Sequence, residues 1–244
     1  MVKNAAMSME SLHNARPEID YEMGSAFDWA NAQRTANSGR VTAHFGDLTD
    51  RLIEFIDGSE AVVGCVAWLT HTPILEALGR IPASLVVQKE DFLRPDSGGS
   101  TVGWKARIQA LYQQVGNGWS RYPFPAPLNG ASFAGDTTLD GVRCVGNSNR
   151  ERVPSAPRMH HKFLVRVDAA PQAIGNSQHI KARGVWTGSF NFSKNAGASF
   201  ENAVEIVDDQ IAGAYLQEFA RVMTLSEPLN WTEDWVTPEW RIGT

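Results

Sequence analysis

The chain has 244 residues, 43% hydrophobic and 20% charged, and a net charge of −5. Those totals suit a globular protein with a substantial core and exclude both a disordered chain and a uniformly basic nucleic-acid binder. Two cysteines, Cys65 and Cys144, lie in apolar surroundings (VVGCVAW and GVRCVGN) and read as buried, reduced thiols, too few for a four-cysteine zinc site.

Residues 1–40 are polar and weakly patterned, an arm of uncertain structure, and they lack the apolar core of a secretory signal. With no stretch approaching about 18 apolar residues, neither a membrane span nor a membrane partner is expected, and the expected location is cytoplasmic. Residues 41–244 read as one domain. DLTDRLIEFIDG has Leu48, Leu52, Phe55 and Ile56 at helical spacing, with Gly58 as its stop. AVVGCVAWL, residues 61–69, is a continuous apolar run that suits a strand buried on both faces. Thr72 and Pro73 begin a short helix, and ASLVVQ, residues 83–88, is the next strand. Strand, helix, strand is a βαβ unit. The expected fold is therefore α/β: a mixed, largely parallel central sheet flanked by helices on both faces.

Residues 91–158 are punctuated by Gly, Pro and Ser and read as an irregular excursion near the active face, with one helix at about 101–115. MHHKFLVRVD, GVWTG and ENAVEIVD then read as strands. The next segment places Ile211, Tyr215, Leu216, Phe219, Val222 and Met223 on one helical face, behind an Asp208 or Asp209 N-cap. Trp231, Trp235 and Trp240 in the tail read as an aromatic clasp on the core.

Charge is unevenly placed. From Arg143 to Lys194 there are nine Lys/Arg and two acids, a local +7 on an otherwise acidic chain. Such a basic field suits phosphate handling. Within it lies MHHKFLVRVD, residues 159–168. Strand alternation puts His160 and Lys162 on one face and turns His161 toward the packed side. Imidazole is a nucleophile at neutral pH, and a neighbouring ammonium binds phosphate oxygens and lowers the imidazole pKa. Downstream, GSFNFSKNAGASFEN adds Gly188 for close backbone approach, Ser189 and Asn191 as neutral donors, and Glu201 as an acid able to hold a histidine tautomer. His71, just after the first strand, is a weaker candidate at an edge where α/β sites form.

In this order, His160 and Lys162, then Gly188, Ser189 and Asn191, then Glu201, resemble the signature of the phospholipase D superfamily, in particular its single-motif, nuclease-like branch. The resemblance implies that His160 is the nucleophile of a covalent phosphohistidine, that Lys162 and Asn191 hold phosphate, that Ser189 supports them, and that Glu201 orients a histidine. It implies no metal and no cofactor. One H-x-K motif implies a homodimer that shares its site across the two-fold axis. Asp168 stands one residue beyond the family spacing, so either a β-bulge absorbs the offset or its role differs. His161 is a competing nucleophile. Lys194, Arg166 and Arg158 are the expected substrate contacts. The expected activity is metal-independent endonucleolytic cleavage of nucleic acid, DNA rather than RNA. The alternatives are a lipid phosphodiesterase of the same superfamily and a non-catalytic nucleic-acid-binding relative.

Overall fold

The computed structural model describes residues 35–90, 93, 102–116, 119–131, 137–146, 158–175 and 177–229. Trp231, Trp235 and Trp240, and the greater part of the proposed N-terminal arm, lie outside the described residues.

Three strands form the parallel part of the sheet. β3 (Ala61–Val66) is buried at every position, as its unbroken apolar run requires. α2 (Thr72–Leu78), with Pro73 in its first turn, returns the chain to β4 (Ala83–Gln88), parallel to β3. After α3 (Val102–Gln114), β5 (Val142–Val145) pairs parallel with β4. β3 and β4 are buried at every position.

Among the described residues, every other pairing between the strands of the sheet is antiparallel. β6 (Lys162–Val167) runs beside β3, and β9 (Ala182–Gly188) beside β6. β10 (Ala203–Ile206) and the hairpin of β1 (Thr35–Asn37) and β2 (Val41–His44) extend that side, and β11 (Glu227–Pro228) closes the other edge on β5. Among the described residues the sheet has nine strands, in the order β1-β2-β10-β9-β6-β3-β4-β5-β11. The sheet is thus mixed, as expected, but its parallel share is confined to β3, β4 and β5. A buried apolar run reports burial on both faces and not strand direction, and helices cover both faces here whichever way a strand runs.

One face carries α1 (Leu48–Asp57), α2 and α3, packed on Val62, Val66, Leu85, Val87, Leu164 and Trp186. The opposite face carries α5 (Asp209–Thr224) and the segment holding Trp119, Phe124 and Leu128, packed on Val63, Cys65, Val86, Phe163 and Val165. Each such buried side chain contributes about 1.5–3 kcal/mol before entropy is counted. Cys65 and Cys144 are both buried, in the clusters on opposite faces. α5 is capped by Asp208, whose carboxylate accepts from the N–H groups of Gln210 and Ile211 at 3.0 Å each. Its buried face is Ala212, Leu216, Phe219, Ala220, Val222 and Met223; Ile211 is exposed and Tyr215 half-buried, so the apolar stripe is rotated toward the two alanines.

β5 and the small exposed hairpin of β7 (Gln172–Ile174) and β8 (Ser177–His179) are not anticipated by the sequence reading. A short helix, α4 (Lys194–Gly197), lies in the loop between β9 and β10. The directions of pairing bring the C-terminal ends of β3, β4, β5, β9 and β2 and the N-terminal ends of β6 and β10 to one edge of the sheet.

Candidate active site

His160 and Lys162 lie at that edge, on a segment pinned from two sides. The Met159 N–H donates to Gln88 Oε1 at 2.7 Å, and the Ala67 N–H donates to the His161 carbonyl at 2.8 Å. Lys162 opens β6 opposite Val66 and is only 7% exposed. Its Nζ lies 3.1 Å from Nδ1 and 3.2 Å from Nε2 of His160 and donates to the His160 carbonyl at 2.9 Å. Burial, then the charges of Lys162 and Arg158, lower the His160 pKa below the usual histidine value. Burial also lowers the Lys162 pKa, while Glu201 opposes that shift. The neutral imidazole is thereby favoured, beside a lysine whose burial disfavours its own charge.

The loop after β9 is folded against the same edge. A Cβ on Gly188 would stand 2.2 Å from the Asn202 carbonyl oxygen, so only glycine permits this approach. The Ser189 N–H donates to the Asn202 carbonyl at 3.1 Å, and the Asn202 N–H donates to Ser189 Oγ at 3.1 Å. The Ser189 hydroxyl donates to the Glu201 carboxylate. Two bonds into the Phe192 carbonyl, from the N–H groups of Thr70 (2.8 Å) and His71 (2.9 Å), tie the loop to the end of β3. Between them sits Asn191, whose side-chain oxygen is buried without a hydrogen-bond partner among the described residues. An unpaired buried amide oxygen costs about 1–3 kcal/mol.

Two neighbours of His160, Trp68 and Glu90, carry no motif and are missed from sequence. The Trp68 ring meets the His160 ring edge-on at 6.0 Å. Glu90 accepts from Trp68 Nε1 at 3.0 Å and faces Arg158 Nη1 at 3.5 Å, and its charge opposes the lowering of the His160 pKa. Trp68 and Glu90 each stand two residues beyond a parallel strand, at the strand ends where α/β sites gather. That positional rule is the one signal that would have found them.

No family model matches the chain. Over 209 residues, 83% of this chain and 71% of the other, it is 28% identical to an uncharacterized protein of Acanthamoeba polyphaga mimivirus. Among solved structures it is similar to Nuc of Salmonella typhimurium, described as a phospholipase D family member, with a TM-score of 0.45 and 16% identity over 77% of this chain and 95% of that one. It is similar also to NucT of Helicobacter pylori, with a TM-score of 0.41 and 16% identity over 75% and 96%. Against the phosphatidylserine synthase of Haemophilus influenzae the TM-score is 0.38, with 12% identity over 76% and 39%.

The structure brings His160, Lys162, Ser189, Asn191 and Glu201 to one edge, with Arg158 beside His160. Glu201 is engaged with Ser189 and acts electrostatically on Lys162; no histidine contact to it is made among the described residues of one chain. Lys194 is exposed at the start of α4, where its charge and, more strongly, burial lower the His71 pKa.

Arg166 is placed elsewhere. It stacks over the Phe55 ring at 4.1 Å, donates to Ser59 Oγ at 3.0 Å and pairs with Glu205 at 2.9 Å, beneath α1. Its charge is consumed by Glu205, distant in sequence, which a local charge count does not see. Asp168 lies past the far end of β6 and accepts two bonds from Arg183, at 2.7 and 2.8 Å. A bulge does occur there, but on β9: Arg166 pairs with Gly184 and Val167 with Ala182, so Arg183 is the extra residue. β6 itself runs in unbroken register against β3. His161 goes to the α5 side as alternation requires, yet it is not inside: its side chain is 45% exposed, and Nε2 meets Glu218 Oε1 at 3.0 Å. Strand alternation fixes the side and not the depth, and this residue precedes the covered part of β6.

Proposed function

We propose that the protein is a phosphodiesterase that cleaves nucleic acid, DNA as the expected polymer, through a covalent intermediate on His160. The observation that carries this reading is the contact between the His160 ring and the buried Lys162 ammonium, at 3.1 and 3.2 Å. A neutral imidazole attacks phosphorus, and the bond to the leaving oxygen breaks. Lys162 offsets the charge on the equatorial oxygens, and the Asn191 side-chain amide N–H donates a hydrogen bond to one of them. The leaving oxygen takes a proton from a second acid, and water then cleaves the phosphohistidine and restores the imidazole.

The order of the residues along the chain, and its resemblance to the phospholipase D superfamily, support the same reading. That resemblance assigns the second acid to His160 of another copy, and hence a homodimer with Glu201 holding a histidine across the axis. The charge neutralisation it implies uses lysine and amide groups, so cleavage is expected to persist in excess EDTA.

The test is incubation of wild-type and His160→Ala proteins with DNA and RNA, single- and double-stranded, in excess EDTA. Wild type should cleave at least one polymer and the variant should be slower by about a thousandfold or more. Equal cleavage by the two proteins, or none by either on any polymer, overturns the reading. Headgroup release from phospholipid vesicles by the wild type, without polymer cleavage, moves the substrate to lipid.

A further inference from the structure

A groove of about 570 Å³ opens on the α5 side of His160, running from Gly146 after β5 to the last turns of α5. The steps described above do not use it. Its floor is apolar, formed by Val145, Met159, Val222 and Leu225. Its rim is basic, with Arg158 and Arg221, and both His160 and His161 line it. Glu218 lines it too, but its charge is committed: Arg221 donates to both carboxylate oxygens at 2.9 and 2.8 Å, and His161 meets it at 3.0 Å. Both arginines are partly balanced, Arg158 by Glu90 at 3.5 Å and Arg221 by Glu218; Arg221, 64% exposed at the rim, keeps Nη1 outside its pair with Glu218.

An apolar floor below guanidinium groups, next to a nucleophile for phosphodiesters, has the composition of a nucleotide site. A groove of this size accepts one nucleotide-sized group. The flat apolar face of a base suits the floor, and phosphates suit the arginines. A base stacked within a duplex has both faces covered and cannot lie on that floor, whereas an unpaired base can.

We propose that this groove is the subsite for the nucleotide flanking the scissile phosphate, and that it selects unpaired strands. The base rests on Met159, Val222 and Leu225, and the adjoining phosphate meets Arg221 and Arg158. The proposal deepens the phosphodiesterase reading and rests on it.

Leu225 is 41% exposed and Arg221 largely so, which makes Leu225→Glu and Arg221→Glu suitable probes that should leave the melting temperature near that of the parent. The probe is a short fluorescein-labelled single-stranded oligonucleotide, titrated in EDTA into the His160→Ala protein, so that cleavage does not interfere. Each added glutamate should weaken binding about tenfold or more, the scale set by losing one base contact. The matching duplex should bind more weakly and shift less. In the otherwise wild-type protein, the ratio of single-strand cleavage to hydrolysis of bis(p-nitrophenyl) phosphate should fall by a similar factor. Unchanged single-strand binding in both variants overturns the proposal, as does an equal loss for duplex and single strand. Preferential binding to phosphatidylglycerol vesicles, abolished by the same substitutions, also overturns it. If binding falls as expected but wild type cleaves no phosphodiester, the groove stands and the cleavage reading falls.

Discussion

The Lys162 ammonium sits 3.1 and 3.2 Å from the two ring nitrogens of His160, and only 7% of the lysine is exposed. An ammonium in that position can donate to an unprotonated imidazole and repels a protonated one. The His160 pKa is accordingly lowered, first by burial and then by Lys162 and Arg158. A nucleophilic histidine works when deprotonated. The acidic limb of the pH–rate profile is therefore expected below the ordinary histidine value of about 6.5. In Lys162→Met one of the lowering charges is gone while burial remains, so the limb should move up part of the way toward about 6.5. The plateau rate should fall about 10²–10³-fold with the loss of phosphate neutralisation. A limb that stays in place in the variant would show that Lys162 does not act on His160.

Asp168 makes a sharper case because sequence alone left its role open. It holds Arg183 through two bonds, at the opposite end of β6 from Lys162. Arg183 is 42% exposed on its side chain, so solvent screens the pair. Asp168→Asn should cost about 1 kcal/mol in denaturant unfolding, a modest value for a half-exposed charged bond. Turnover of the folded variant should match wild type. A hundredfold loss of turnover would put Asp168 in the chemistry after all.

Legibility followed the range of each interaction. β4 and the extent of α1 and α2 were visible because a local pattern decides them: continuous apolar run, helical spacing, Pro73, Gly58. β5 was hidden, since VRCV is four residues long and carries an arginine; that arginine is buried only because Ser226 and Asp140 receive it. His160, Lys162, Ser189 and Asn191 are singled out in the sequence by chemistry in a fixed order, and the fold brings them to one edge. The pairing of Arg166 with Glu205 and its stacking on Phe55 were not legible, because both partners are remote in sequence. Trp68 and Glu90 became visible only when two strand ends were placed beside His160.

The close approach at Gly188 gives a prediction that separates position from stability. A methyl group there would meet the Asn202 carbonyl oxygen at 2.2 Å and Ala203 Cα at 2.7 Å, both backbone atoms. The start of β10 must move, and with it the pair formed by Ser189 and Glu201. Gly188→Ala is expected to destabilise by about 1–3 kcal/mol, the usual cost of overpacking. Activity measured well below the melting temperature should fall by more than ten times, because a displaced loop loses the productive geometry. Melting curves and rates on the same preparation check this; full activity in a destabilised variant would detach the loop from catalysis.

His44 is 6% exposed at the end of β2, stacked on Trp186 with ring centroids 5.3 Å apart, and neither ring nitrogen has a hydrogen-bond partner among the described residues. Burial, assisted by Arg51, lowers its pKa against the opposing pull of Glu205 and Glu54. The unfolded chain then takes up a proton at about pH 6.5 while the folded one still refuses it. Stability contributed by this group is present above that pH and is lost progressively as pH falls from there toward the folded pKa. His44→Phe keeps the stack on Trp186 and removes both the unpaired nitrogens and the titration. It should raise stability at neutral pH by about 1 kcal/mol, the lower part of the cost of unpaired buried polar atoms. It should also flatten the decline below about pH 6.5. Urea unfolding at a series of pH values measures both. An unchanged slope would mean that another group controls acid stability, and a large loss at neutral pH would mean that the His44 nitrogens are hydrogen-bonded in solution.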